Sequence, residues 1–434
     1  MIQQAGDTVG KRCHICTGCG RCGENRMDTH VLVKMTQMMR EKQEPQEAKP
    51  TANGNKACVG NRRKRLVIAD IGTTTIAMQL YGTDGKLQDT FAVVNPQTAY
   101  GADVLSRIWA AENPANAGQM QQMVREVLSQ GIAQFRGLIE SGKKEEIPEE
   151  AADGEEPFQM IITANTTMVY LLMGYDTAEL GRAPFRASHL QPIETVIAEV
   201  PCYIVQGLSA FVGGDIAAGI FACGMNESEE IILLIDLGTN GEMVLGNRDK
   251  MIACSTAAGP AFEGGVNRGV WGADMVSLLA RLRKEGILDG TGLLAEPYFD
   301  KGVRIGDVCV TQEAVRAVQL AKGAIVAGIR ILVQEYGISM EQIDKVVLAG
   351  GFGYYLNPQA AAYIGLLPGE LGKKTITGGN TALTGALMLG RKLIDGEVQE
   401  LPDLFKAQKT KLQIINLAEI KTFHDIYFSS MDLN

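Results

Sequence analysis

The sequence predicts an α/β protein in which two related domains face each other across a polyphosphate-binding cleft, preceded by a small cysteine-rich metal-binding segment. Three observations predict it. The stretch LVIADIGTTTIAMQL (66–80) is an apolar run ending in Asp70, a Gly-Thr turn at Gly72, and a second apolar run. The pattern returns as IILLIDLGTNGEMVL (231–245), where Asp236 matches Asp70, Gly238 matches Gly72, Thr239 matches Thr73 and Asn240 matches Thr74. Cys13, Cys16, Cys19 and Cys22 crowd into ten residues near the start. Asp236 follows Asp70 by 166 positions. That is far beyond the ~20–50-residue period of solenoid repeats, so the recurrence implies duplicated domains.

Each hairpin reads as strand, tight turn, strand. Hydroxyls and free backbone N–H groups converge at such a bend beside one carboxylate, which suits a polyphosphate and its divalent metal. Two hairpins facing each other would clamp the polyphosphate from both sides, with the aspartates holding Mg2+ through water.

Composition sets the class. The chain has 434 residues, room for two to three domains, with 46% apolar and 21% charged residues. A net charge of −9 argues against nonspecific nucleic-acid binding. The opening MIQQAGDTVGKRC lacks the apolar stretch of a signal peptide, and no apolar run approaches the ~20 residues that span a bilayer. These features predict a cytoplasmic protein without a membrane partner.

In a reducing compartment, clustered cysteines are metal ligands or redox groups before they are disulfides. Residues 11–24, KRCHICTGCGRCGE, form C-x2-C-x2-C-x2-C, and the small residues Thr17, Gly18 and Gly20 let a short loop wrap an ion or cluster. Bacterial ferredoxins use a similar dense run for a 4Fe-4S cluster, with a three-residue last gap and a following Pro. Here the last gap is two residues and Gly23 follows. Four-cysteine zinc sites are the alternative, although zinc ribbons separate their cysteine pairs by ~15–20 residues. The run therefore favours iron–sulfur and leaves zinc open. His14 reads as a bystander, and Cys58 as a free linker thiol or spare ligand. Cys202, Cys223, Cys254 and Cys309 read as buried, inert thiols.

Taken in order, residues 1–42 form the cysteine-rich segment, with a short helix at 31–39. Residues 43–64 form a polar linker carrying Pro45, Pro50 and Gly54. The basic run from Arg62 to Arg65 reads as a solvated flank. The first of the two related subdomains spans 65–230. Asp84-Gly85 turns between strands, and NPQTAYGADVLSR (95–107) is a loop feeding a helix. From Met120 to Ile139 apolar positions recur at helical spacing. The acidic stretch 143–157 is an exposed loop, and 160–163 a strand followed by a helical stretch to Gly174. Asp215 stands at a Gly-Gly turn before a small-residue helix, and Glu263 in a glycine-rich bend; for both, a turn or capping role remains open beside a catalytic one. The second subdomain spans 231–434. In it VVLAGGFG (346–353) is a strand ending in glycines that let backbone approach a flat ligand.

The order DIGTTT, GGDIAAG, IDLGTNGE, LAGGFG resembles the superfamily of actin, sugar kinases and heat-shock ATPases. More specifically, NPQTAYGADVLSRI, TANTTMVYLLMG, APF, STAAGPAFEGG, VQLAKGAI, AGGFG and GNTALTGA resemble the reductive activators of corrinoid proteins. The resemblance covers residues from about 66 to 434. It implies duplicated ribonuclease-H-like domains enclosing ATP with Mg2+. It makes Asp70, Gly72, Thr73, Thr74 and Thr75 the first phosphate loop, and Asp236, Gly238, Thr239 and Asn240 the second. Gly350, Gly351 and Gly353 become the adenosine loop, and Asp215 an acid near the metal and attacking water. Lys322 is placed near the nucleoside or at a solvated core edge. The implied activity is ATP-dependent return of a methyltransferase system's corrinoid protein from cob(II)amide to cob(I)amide, fed by an external low-potential electron donor. Many such activators carry a plant-type two-iron domain and a further domain before the ATPase unit, others a bacterial-type ferredoxin domain. This sequence has the four-cysteine run instead, which leaves the electron donor and docking surface open.

Three rivals stand beside this reading. An activator of a 2-hydroxyacyl-CoA dehydratase-like enzyme places its cluster cysteines within the ATPase unit. A sugar or acid kinase needs no four-cysteine module. An actin- or chaperone-like ATP-binding protein would carry a structural zinc. The sequence does not fix the oligomeric state, a homodimer being among the options.

Overall fold

Alternation along the two hairpin strands sets the architecture. In β1 (Arg65–Ile71), Val67, Ala69 and Ile71 fill one core while Leu66 and Ile68 fill another. In β7 (Ile232–Leu237), Leu233, Ile235 and Leu237 face one core, and Ile232 and Leu234 face the core that also holds Leu66 and Ile68. Strands buried on both faces read as near-continuous apolar runs, which is why both stretches stand out in the sequence. The two-residue period carries each inner row onto its aspartate, Leu66–Ile68–Asp70 and Ile232–Leu234–Asp236. Both carboxylates therefore emerge at the edge of one shared layer.

The computed structural model describes residues 64–141, 158–259, 272–306, 308–353, 356–395 and 400–433, all within the compact unit Gly54–Asn434. The Cys13–Cys22 run, the 31–39 helix, the linker, Cys58, the 143–157 loop and Glu263 lie outside the described residues.

Two six-stranded sheets repeat one topology. In the first, β3 (Leu87–Val94), β2 (Thr75–Tyr81), β1, β4 (Phe158–Ala164), β6 (Val200–Ile204) and β5 (Ile193–Ile197) lie side by side. In the second the order is β13 (Thr375–Gly379), β12 (Lys345–Ala349), β7, β8 (Gly241–Gly246), β9 (Met251–Thr256) and β14 (Leu412–Ile415), while β10 (Val303–Ile305) and β11 (Val308–Val310) form a separate antiparallel pair. Each opens with an antiparallel meander, β1–β2–β3 or β7–β8–β9. Each continues with parallel strands, β4 and β6 or β12 and β13. Only the edge strands β5 and β14 differ, and the duplication read from the hairpins holds for the whole topology.

Helices join the sheets and cover them. α1 (Val104–Ala111) and α2 (Pro114–Glu140) follow β3, and α3 (Thr166–Met173) follows β4. α4 (Gly214–Ala222) carries Ile216, Ala217, Ala218 and Ile220 into the shared core, and α7 (Thr381–Ile394) brings Leu383, Ala386 and Leu389. Between them in sequence, α5 (Gly272–Lys284) and α6 (Gln312–Tyr336) pack into the outer core of the second sheet. The backbones of α4 and α7 touch, because a Cβ on Gly385 would overlap the Ala218 carbonyl. The chain thus returns in α7 to pack against the first half.

Three expectations change. α2 starts at Pro114, six residues before the apolar period, with Asn113 as its cap accepting from the Ala115 N–H at 2.9 Å. A helix-opening proline was the missed signal. Arg65 is buried inside β1, not on a solvated flank. α6 is by length and composition apolar enough to cross a membrane, contrary to the expectation, yet 78% of its most apolar window is buried in the fold. It is a core helix here. Cys202 and Cys254 are buried and Cys223 and Cys309 half-buried, and burial pushes the Cys202 and Cys223 thiols up to about 12.

Candidate phosphate and metal cleft

The two hairpin turns differ by one residue. Gly72 N–H donates to the Thr75 carbonyl at 2.9 Å, whereas Gly238 N–H donates to the Asn240 carbonyl at 2.9 Å. Asp70 consequently pairs in register with Ala77, and Asp236 pairs with Glu242. The tighter second turn therefore sets a second acid beside its aspartate. The jaws meet at their threonines, with Thr74 Oγ1 and Thr239 Oγ1 3.4 Å apart.

Four acids gather behind the jaws. Asp70 Oδ2 accepts from Asn380 Nδ2 at 2.7 Å, and Asn380 Oδ1 in turn accepts from the Leu383 N–H at 2.8 Å, capping α7. Asp215 lies in the first turn of α4, its Oδ1 accepting from the Ile216 N–H at 2.8 Å. Asp236 faces Gly350, whose φ of +81° suits glycine and where a Cβ would overlap Asp236 Oδ1. Glu242 lies within 3.5 Å of Ser255 Oγ.

All four carboxylates are half-buried, and all are pushed up. Burial raises Asp70 to about 6 against hydrogen bonds from Asn380 and Thr163. Burial, then the charges of Asp215 and Asp70, raises Asp236 to about 8. Burial followed by Asp70 raises Asp215, and burial followed by Asp215 and Asp236 raises Glu242. Burial is the larger cause throughout, and the added repulsion at Asp215, Asp236 and Glu242 fits groups that share one low-dielectric space. Such a set relieves itself by holding protons or by facing a cation. Among the described residues no three acids, histidines or cysteines are arranged to ligate an ion directly. Four half-buried carboxylates around one space suit a divalent cation that keeps its waters, as Mg2+ does.

The structure brings Asp70, Asp215 and Asp236 together as charges, and Gly72–Thr75 and Gly238–Asn240 as facing turns. Thr73 is buried, its Oγ1 accepting from Asn165 Nδ2 at 3.1 Å. Gly350–Gly353 form one helical turn after β12, beside Asp236. Lys322 is buried on α6. Its Nζ donates to the Ser430 carbonyl at 2.6 Å and to the Asp432 carbonyl, so α6 uses it to hold the C-terminal strap. Burial lowers this amine to about 8. Sequence reasoning missed Glu242 and Asn380. The Asn-Thr-Ala-Leu start of α7 is a capping signal, and the hairpin register alone sets Glu242 opposite Asp236.

Comparison with known proteins follows the same lines. The family model described as the RACo middle region matches residues 66–228, and that of the C-terminal domain of RACo, the ASKHA domain, matches 230–270 and 265–434. The chain is similar to the corrinoid activation enzyme RamQ of Eubacterium limosum, 33% identical over 384 residues, 73% of this chain and 62% of that protein. It is 26% identical over 273 residues to the [Co(II) methylated amine-specific corrinoid protein] reductase of Methanosarcina barkeri, 51% of this chain and 49% of that one. The chain thus spans less than two thirds of either curated relative. Among solved structures it resembles a reductive activator for corrinoid, iron–sulfur protein, with a TM-score of 0.73 and 29% identity, covering 88% of this chain and 67% of that one.

Proposed function

Because the chain belongs to the RACo family and has its ASKHA fold, we propose that it is an ATP-dependent reductive activator of a corrinoid protein. In this reading it returns an inactive cob(II)amide, the substrate, to cob(I)amide by a one-electron reduction. The observation that carries the reading is the pair of jaws closing at Thr74 and Thr239 over four mutually repelling acids.

The residues divide the work. Thr73, Thr74, Thr75, Thr239 and Asn240 offer hydroxyl, amide and backbone donors to the β- and γ-phosphates, with Gly72 and Gly238 giving the bends. Asp70 and Asp236 hold the hydrated Mg2+ of ATP, whose charge stabilises the developing phosphate charge. The Asp215 carboxylate, its affinity for a proton raised by burial and then by Asp70, is the base suited to take a proton from the attacking water. Glu242 adds charge to the same cation site. Gly350, Gly351 and Gly353 receive the adenosine.

Cys13, Cys16, Cys19 and Cys22 hold an iron–sulfur cluster in this reading, and a bound cluster supplies single electrons at low potential. Reduction of cob(II)amide is uphill from ordinary donors, so nucleotide-linked domain closure shifts the partner toward a reducible state. The partners are the corrinoid protein of a methyltransferase system and an external low-potential donor, in the cytoplasm. Metal analysis after anaerobic reconstitution tests the redox half. About four iron and four sulfide per chain are expected. Zinc without sulfide would contradict it.

A further inference from the structure

Three consecutive carbonyls of the first phosphate loop are held from one side by a single segment, 95–107. The Gly72 carbonyl accepts from Asn95 Nδ2 at 2.8 Å, the Thr73 carbonyl from an Arg107 Nη at 2.5 Å, and the Thr74 carbonyl from the Asn95 N–H at 2.8 Å. Arg107 is wholly buried. The rest of its fork is held by the same segment and by α3, with Nε donating to the Gly101 carbonyl at 3.0 Å and Nη1 reaching Gln97 Oε1 at 3.5 Å and Met168 Sδ at 3.4 Å. Asp103 caps α1 at Ser106 and fixes the helix that carries it. Burying a guanidinium is expensive, so a fold that keeps one behind a turn has a use for its charge.

The peptide bond supplies the use. In a planar trans peptide the C=O of one residue and the N–H of the next point to opposite sides. Pulling the carbonyls of Gly72, Thr73 and Thr74 toward Asn95 and Arg107 turns the N–H groups of Thr73, Thr74 and Thr75 the other way. A cation on the Thr73 carbonyl also polarises that peptide and strengthens the Thr74 N–H as a donor.

We propose that Arg107 is a positioning residue for the nucleotide's terminal phosphates, acting through the Thr73–Thr74 peptide. The inference rests on the ATP reading above. Its test compares ATP with AMP, which lacks the β- and γ-phosphates, by equilibrium binding to the full chain with Mg2+. Arg107→Met is expected to weaken ATP about tenfold and leave AMP unchanged, with the circular dichroism spectrum retained. Equal weakening of both nucleotides, or of neither, overturns the inference while wild-type ATP binding leaves the parent reading standing. Wild-type protein that binds no ATP overturns both. If Arg107→Met does not fold, Arg107→Lys carries the same comparison, since an ammonium keeps the charge but not the three-way fork. A smaller, still ATP-selective loss is then expected, and an unselective one overturns the proposal.

Discussion

Asp215 has the environment of a group that exchanges protons: half-buried, at a helix start, and facing Asp70, Asp236 and Glu242. Asp215→Asn keeps the shape and removes the base. Phosphate release from ATP should fall about 100-fold or more with ATP binding retained, and an unchanged rate would assign the base elsewhere. The cluster also sets a pH dependence. Asp70 at about 6 and Asp236 at about 8 stand above their ordinary 3.8. The folded protein therefore keeps protons that the unfolded chain has released. Their contribution is fully present below about pH 4 and lost as pH rises through about 6 to 8. Metal-free protein should accordingly melt lower at pH 8 than at pH 5.5, and Asp236→Asn should shrink that difference. A melting temperature that rises over this interval and is insensitive to Asp236→Asn would contradict the assignment.

At the scale of elements, α4 and α7 form the seam between the two sheets. Gly385 meets the Ala218 carbonyl there, and Thr381 lies against Gly219. Gly385→Ala should force the helices apart and cost about 1–3 kcal/mol, read from denaturant unfolding; no loss would mean the seam is looser than the contact implies. The hairpins were legible in the sequence because strands buried on both faces write long apolar runs, and because the pattern occurs twice. The shared core row carried both aspartates to one place by period alone. Asn380 reaching Asp70, and Lys322 reaching Ser430, were not legible, since contacts spanning 310 and 108 residues leave no local pattern. Glu242 was hidden for a different reason. The match of IDLGTN to ADIGTT conceals a turn one residue shorter, and only the strand register shows what then stands opposite Asp236.

Over the whole described region, the duplicated sheets, the α4–α7 seam and the facing turns set two halves against one ligand site. α7 links them directly: its cap Asn380 binds Asp70 of the first half while its body packs beside α4. A nucleotide bridging Thr74 and Thr239 would bias the relative position of the halves, which is the differential binding that any ligand-driven closure needs. In the proposed function, nucleotide-driven closure delivers an electron to a corrinoid rather than phosphorylating a small molecule. The most direct measurement is the cob(I)amide absorbance of a corrinoid protein under strict anaerobiosis, with the chain, a low-potential donor and ATP present or omitted. Cob(I)amide should form only with ATP, and Asp215→Asn should abolish it. Cob(I)amide that forms equally without ATP, or with no corrinoid protein gaining from it, would contradict the account.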